Sequence, residues 1–308
     1  MENKNLKPII NEYIVKDILA KKELSNLDPG FVSRKVIDYL NTHPKLSKKI
    51  GTEETGRREK ARGELGRRRT GKQDFDFKRL QRAKQYKELV KNIRTGLREV
   101  YGVFIMKDYH KRQLLLQELR KNPSPDNHNK ILALHKSSKE RLPYYQLVYK
   151  KIFNIIMPRP KRIVDLACGL NPFSYPYLGF KPRYLACDLS AKDLEFVQEY
   201  FDSQNIPSST LQLDLLKDDL KGLAEPGDLV LLLKTLDSLE SLQRNSSKNV
   251  LKALNAPNLV VSFSTKSLGG SKNISDERRA WFDRLVKELG YKKHFFRIPN
   301  EAFYVLAR

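Results

Sequence analysis

Five short apolar runs recur through the second half of the chain, near 161–167 (KRIVDLA), 183–187 (RYLAC), 210–213 (TLQL), 228–233 (DLVLLL) and 258–263 (NLVVSF). Helix-length stretches separate them. Parallel strands need a crossover of roughly a dozen or more residues, so this alternation predicts a mostly parallel sheet covered by helices. Two last runs, HFFRI and AFYVLA, are separated only by Pro299-Asn300-Glu301. That gap is too short for a crossover and predicts an antiparallel hairpin. The expected fold class is α/β, with a seven-stranded sheet.

The first half of the chain has another character. Residues 8–43 carry apolar side chains at helical spacing in IINEYIVKDILAKK and FVSRKVIDYLNTHP, broken at Asp28-Pro29-Gly30, which predicts two short helices. At 45–73 the apolar pattern collapses into an arginine-rich, glycine-interrupted segment that includes Arg67, Arg68 and Arg69. It cannot bury enough apolar surface to order itself, and reads as a flexible insert or an arm that orders on RNA. FKRLQRAKQYKELVKNIRTGLREVYGVF predicts helix again, and Asn122-Pro123-Ser124-Pro125 ends it. From Lys130 a helical bridge, ILALHKSSKERLPYYQLVYKKIFNII, leads into the strands. The division expected is a helical basic domain at 1–125 and a ligand-binding domain at 126–308.

Charge follows the same division. Residues 1–160 hold 38 of the 59 Lys and Arg and 18 of the 36 acids, a net +20, while residues 161–308 carry 21 against 18, or +3. A field confined to one half points to a polyanion, and the expected partner is nucleic acid. No run approaches the roughly eighteen apolar residues of a membrane span, and MENKNLKPII lacks a signal-like apolar segment, so a cytoplasmic protein is expected, with no membrane partner. Cys168 and Cys187 have no ligand-type spacing; both read as buried thiols, and no metal site is expected. A monomer is expected.

In open α/β sheets ligands sit beyond the carboxyl ends of the strands. DLACGLNP occupies that position after the first strand: Gly169 admits close backbone approach, and Asp165 can accept from a cationic ammonium or order the loop. Asp188 lies nineteen residues past Gly169, at the end of the second strand, where an acid can bind both ribose hydroxyls. The alternative is an ordinary turn capped by aspartate. Asp214-Leu215 ends the third strand and suits an adenine ring, with a helix cap as the alternative. LLLKTLDS ends the fourth and lacks the Asp/Asn-Pro-Pro-aromatic motif of amino-group methylation. Guanine N7 carries a free lone pair and no proton, so transfer from a sulfonium needs alignment without an acid or base.

At LHKSSKERL (134–142), DLACGLNP (165–172), LLLKTLDSLE (231–240) and SFSTKSLGG (262–270) the chain resembles the aminoglycoside-resistance 16S rRNA (guanine-N7) methyltransferases. The likeness extends to the N-terminal helices and omits about 44–75. It implies a Rossmann-like class I methyltransferase sheet behind an N-terminal RNA-binding domain, S-adenosyl-L-methionine as cofactor, and the rRNA of the small ribosomal subunit as partner. Carried over by position, Arg141 would grip the methionyl carboxylate, Asp165 and Gly169 would frame the methionyl part, Asp188 would take the ribose, and Asp214 with Leu215 the adenine. Ala167, Leu189 and Leu233 would also belong to the cofactor site. Lys234, Ser264, Lys266 and Ser267 would face the target nucleotide. His135 could order the bridge. The chain departs from the family's pattern beside His135 and in the 45–73 insert. A non-catalytic RNA-binding or ribosome-assembly factor, and an adenine-N1 rRNA or tRNA methyltransferase, are the alternatives.

Overall fold

A computed structural model describes residues 8–48, 50, 77–267, 273–275 and 279–308. The chain divides into two compact units between Arg98 and Glu99. The division comes earlier than 125 because Tyr109, Leu116 and Leu119 are buried in the core that lines one face of the sheet.

The first unit is helical. Helices Pro8–Leu19 and Pro29–Thr42 pack their apolar faces through Ile10, Ile14, Ile18, Phe31, Val32, Val36 and Leu40, all essentially without exposure. Asp28 breaks the two: its Oδ1 accepts from the Phe31 N–H at 2.7 Å, and Pro29 supplies the preset φ of a first helical turn. Helices Phe77–Arg82 and Lys84–Val100 follow, held to the first helix where Asp17 accepts from Gln81 and from the Tyr86 hydroxyl. A groove of about 530 Å³ lies among Asp17, Lys21, Glu23, Lys87, Lys91, Arg94 and Arg98. Residues 44–48 are helical, with Ser47 and Ile50 buried, so order extends past the start of the expected insert at 45. The rest of that insert, with Arg67, Arg68 and Arg69, lies outside the described residues.

The second unit carries the sheet. Strands β1 (Arg162–Leu166), β2 (Arg183–Asp188), β3 (Ser208–Gln212), β4 (Asp228–Leu233), β5 (Asn258–Ser264), β6 (Lys292–Ile298) and β7 (Glu301–Ala307) are ordered 3-2-1-4-5-7-6. The first five pair in parallel, and β7 runs antiparallel to both β5 and β6, as the three-residue gap requires. Alternation sorts the side chains: Ile163, Ala186, Leu231 and Val260 enter one core with Tyr145, Tyr149 and Phe196, while Val164, Leu185, Val230 and Val261 enter the other with Leu251 and Phe282. β3 is the polar edge, and it starts at Ser208 because cross-strand pairing with Tyr184 of β2, which the apolar pattern does not report, extends it backward.

The helical bridge is three helices, Pro125–Leu132, Lys136–Arg141 and Tyr145–Ile155. Ser124 caps the first through the Asn127 N–H, and Pro143 holds the turn between the other two. The sheet reverses direction of growth at β1, flanked by β2 and β4, and the ligand crevice of such sheets opens there.

Candidate active site

β1 ends in a loop that turns through left-handed backbone at Ala167 (φ 54°) and Gly169 (φ 49°). The Gly169 N–H donates to Asp188 Oδ2 at 2.9 Å, and the Ser190 N–H to Oδ1 at 3.3 Å, so two backbone donors from the loops after β1 and β2 fix one carboxylate. A Cβ at Gly169 would sit 3.0 Å from His135 Nε2. His135 stacks on Phe104 and is driven neutral by burial beside Arg141 and Lys234, its pKa falling to about 3. Its ring therefore forms the floor under the glycine turn. Desolvation, with the Asp193 charge, raises the Asp188 carboxyl to about 6.

Asp165 is buried, and its Oδ2 accepts from Asn171 Nδ2 at 2.8 Å and from the Tyr184 hydroxyl at 2.6 Å. Burial raises its pKa to about 6 against those two donors. Of its two possible roles, ordering the loop is the one the hydrogen bonds display.

Arg141 is 1% exposed and forked on Glu301, with Nη2 to Oε1 at 2.7 Å and Nε to Oε2 at 3.2 Å. Its Nη1 donates to Asn171 Oδ1 at 3.0 Å. Burial is the largest influence and would lower its pKa, but the Glu301 charge and hydrogen bond, with Tyr145 and Tyr149, together outweigh it and raise it. Lys234, in left-handed backbone at the end of β4, puts Nζ 2.6 Å from Glu140 and 3.6 Å from Glu301. Ser262 completes the set, giving its hydroxyl to Glu301 at 2.5 Å and accepting the Lys234 N–H at 3.0 Å. A continuous polar chain thus runs from Tyr184 through Asp165, Asn171, Arg141 and Glu301 to Lys234 and Glu140.

The other expected residues divide. Ala167 is exposed, and Leu189 and Leu233 are half-buried at their strand ends. Asp214 and Leu215 are buried; Asp214 Oδ1 accepts from the Leu216 N–H, so part of its carboxylate serves the local turn. Ser264 donates to the Lys266 carbonyl at 2.7 Å, Lys266 is exposed, and Ser267 is half-buried in the same loop. Both cysteines are buried and free. Sequence reasoning missed Glu301, Asn171 and Glu140. The signal for Glu301 was an acid opening a strand that is otherwise apolar.

The arrangement fits an adenosyl cofactor. Glycine-turn backbone with no room for a Cβ, an acid at the end of β2 with its carboxylate already oriented, and Leu189 and Leu233 at the ends of β2 and β4, the strands that flank β1, lie at one rim of the sheet. Fold and site together define a Rossmann-like S-adenosyl-L-methionine-dependent methyltransferase. Residues 79–305 match the family described as Ribosomal RNA methyltransferase (FmrO), and the chain belongs to that family. A 16S rRNA (guanine(1405)-N(7))-methyltransferase of Micromonospora echinospora is 33% identical over 231 residues, covering 72% of this chain and 83% of the relative. One of the same name from Serratia marcescens is 32% identical over 203 residues, covering 66% and 76%. Among solved structures, the 16S rRNA methyltransferase RmtF in complex with S-adenosyl-L-homocysteine superposes with a TM-score of 0.72 at 23% identity, covering 100% of this chain and 99% of that one; this likeness bears on the fold.

Proposed function

We propose that the protein methylates N7 of a guanine in the small-subunit rRNA, as the names of its curated relatives state for them. One observation carries the choice of chemistry: Asp165, Glu301 and Glu140 are all engaged by buried partners, as anchors rather than proton acceptors. Guanine N7 needs no proton removed, so alignment suffices.

In this reading Gly169 and Ala167 give the methionyl part its backbone contacts, Asp188 accepts from the ribose hydroxyls, and Leu189, Leu215 and Leu233 flank the adenine. The cofactor, when bound, supplies a methyl group on a positively charged sulfur. Arg141 is the residue the family resemblance assigns to the methionyl carboxylate; here Glu301 holds its Nε and Nη2, and Asn171 and Tyr145 engage its Nη1. Lys234 is braced by Glu140 and Glu301 and sets the β4 end beneath the target base; Lys266 and Ser267 offer the loop that meets it. The basic N-terminal part, including the arginine-rich insert, docks on the rRNA backbone through charge. The protein works as a cytoplasmic monomer.

Labelled methyl transfer to intact small subunits, naked 16S rRNA and tRNA, followed by nucleoside analysis, tests this. The expected product is 7-methylguanosine on the small subunit. Methylated adenine, or label on tRNA alone, would refute the assignment. Folded protein that binds RNA but labels nothing would make it a silent binding factor.

A further inference from the structure

Before the sheet begins, the segment that follows helix Lys84–Val100 delivers two tyrosines to one buried carboxylate. Asp193, 4% exposed in the first turn of helix Ala191–Ser203, accepts from the Tyr101 hydroxyl on Oδ2 and from the Tyr109 hydroxyl on Oδ1 at 2.8 Å. Burial together with the Asp193 charge raises both phenols well above their usual value, so both stay protonated donors. Asp193 is also tied to the cofactor rim. Its N–H donates to Ser190 Oγ at 3.2 Å, and the Ser190 N–H donates to Asp188 Oδ1. Only Leu189 separates Ser190 from Asp188, and the Tyr101 hydroxyl lies within reach of both Ser190 and the Asp188 charge.

We infer that Tyr101 and Tyr109 are positioning residues for the ribose acid: by clamping Asp193 they hold the turn 188–190, so that Asp188 meets the ribose as an oriented carboxylate. The inference rests on Asp188 being that acid. Its physical content is electrostatic as well as geometric. Asp193 is a like charge that makes Asp188 harder to ionise, and two hydroxyl donors offset part of that charge. The other titratable groups around Asp188 are Asp165 on β1, Cys168 in its loop and Cys187 on β2, none of them cationic. One cation does face the clamp: the Arg112 guanidinium lies 5.0 Å over the Tyr109 ring and 5.7 Å over that of Phe196, on the helix that carries Asp193. The bland alternative, a clamp that only stabilises the fold, makes no prediction about protonation.

The test is calorimetric titration of the full-length protein with S-adenosyl-L-homocysteine from pH 5 to pH 9, for wild type, Tyr101→Phe, Tyr109→Phe, Asp193→Asn and Asp188→Ala. Phenylalanine keeps both rings in the core. Each Tyr→Phe variant should weaken binding about tenfold near neutral pH. The pH midpoint of affinity should move upward, because an unshielded Asp193 keeps Asp188 protonated to higher pH. Asp193→Asn removes the like charge and should move that midpoint the opposite way. Steady-state methyl transfer should show KM for the cofactor raised, with kcat at saturating cofactor and KM for the small subunit retained. Unshifted midpoints in both the tyrosine variants and Asp193→Asn would overturn the positioning role, even if melting temperatures fall. Should a tyrosine variant not fold, the direction of the Asp193→Asn shift decides alone. Asp188→Ala should abolish binding; if it does not, the ribose assignment fails and this inference with it. If Asp188→Ala abolishes binding while the tyrosine and Asp193 variants match wild type, only the clamp is refuted.

Discussion

Replacing Glu301 with glutamine probes the ion pairs among Arg141, Glu301, Lys234 and Glu140 directly. Glu301 is 1% exposed and is the shared counterion of Arg141, also 1% exposed, and of the nearly buried Lys234. Without its charge, two cations face the single remaining acid Glu140, which is already 2.6 Å from Lys234. Removing one partner of a buried ion pair costs about 3–5 kcal/mol, because the other charge stays desolvated. Glutamine retains a carbonyl to accept one Arg141 N–H, so the lower end, about 3 kcal/mol, is expected. Urea unfolding followed by tryptophan fluorescence reads this near the sheet, since Trp281 packs on Phe263 of β5. With a slope of about 2–3 kcal/mol/M the midpoint should drop by about 1 M or more. The double variant Arg141→Leu/Glu301→Leu removes both charges and should recover at least about half of the loss, since an apolar replacement of a buried pair is often neutral. A cost below about 1 kcal/mol for Glu301→Gln, or a double variant no more stable than the single, would refute the reasoning.

Gly169→Ala should cost about 1–3 kcal/mol of stability and most of the cofactor affinity, from a Cβ 3.0 Å from His135 Nε2 and a φ of 49°; adding His135→Ala should relieve the steric part alone, as a thermal melt will show. Asp165 and Asp188 both have carboxyls raised to about 6, so the native state holds protons that the unfolded chain has released: the stability they contribute is greatest below about pH 4 and lost as pH rises through about 6. Melting of the cofactor-free protein between pH 4 and 7 checks this, and Asp165→Asn should flatten the decline. Cofactor affinity should change in the other direction, weakening as pH falls through about 6 and Asp188 takes up its proton. Deleting 51–72 should weaken small-subunit binding and reduce its dependence on salt, measured by filter binding across ionic strengths; an unchanged slope would make the insert a passive linker.

The sheet was legible because its inner strands β1, β2, β4, β5 and β7 are buried on both faces and stand out as apolar runs; the hairpin was legible because three residues leave no other geometry. The loop after β1 and the acid ending β2 were legible as a spacing. What joins them was not: the hydrogen bond from Gly169 to Asp188 is a consequence of β1 and β2 lying side by side. Arg141 and Lys234 were legible as cations, but their common partner lies 160 residues beyond Arg141, on a strand whose pairing is set by the rest of the sheet. The compact units divide between Arg98 and Glu99, whereas Asn122-Pro123-Ser124-Pro125 is a strong local break inside the second unit. Tyr109, Leu116 and Leu119 bury themselves across it, and nothing local announces that.

The reversed direction of β7 bears on how the protein is made. Because β7 runs against β5, its first residue rather than its last reaches the cofactor rim, and Glu301 arrives there opposite Ser264. At a synthesis rate of about 5–20 residues per second, Arg141 is exposed for roughly 8–30 s before its counterion exists. During that interval the helix Lys136–Arg141 has no buried place to put its guanidinium. Lys234 already has Glu140 as a partner from earlier in the chain, so it is the Arg141–Glu301 pair that waits for β7 to join the sheet.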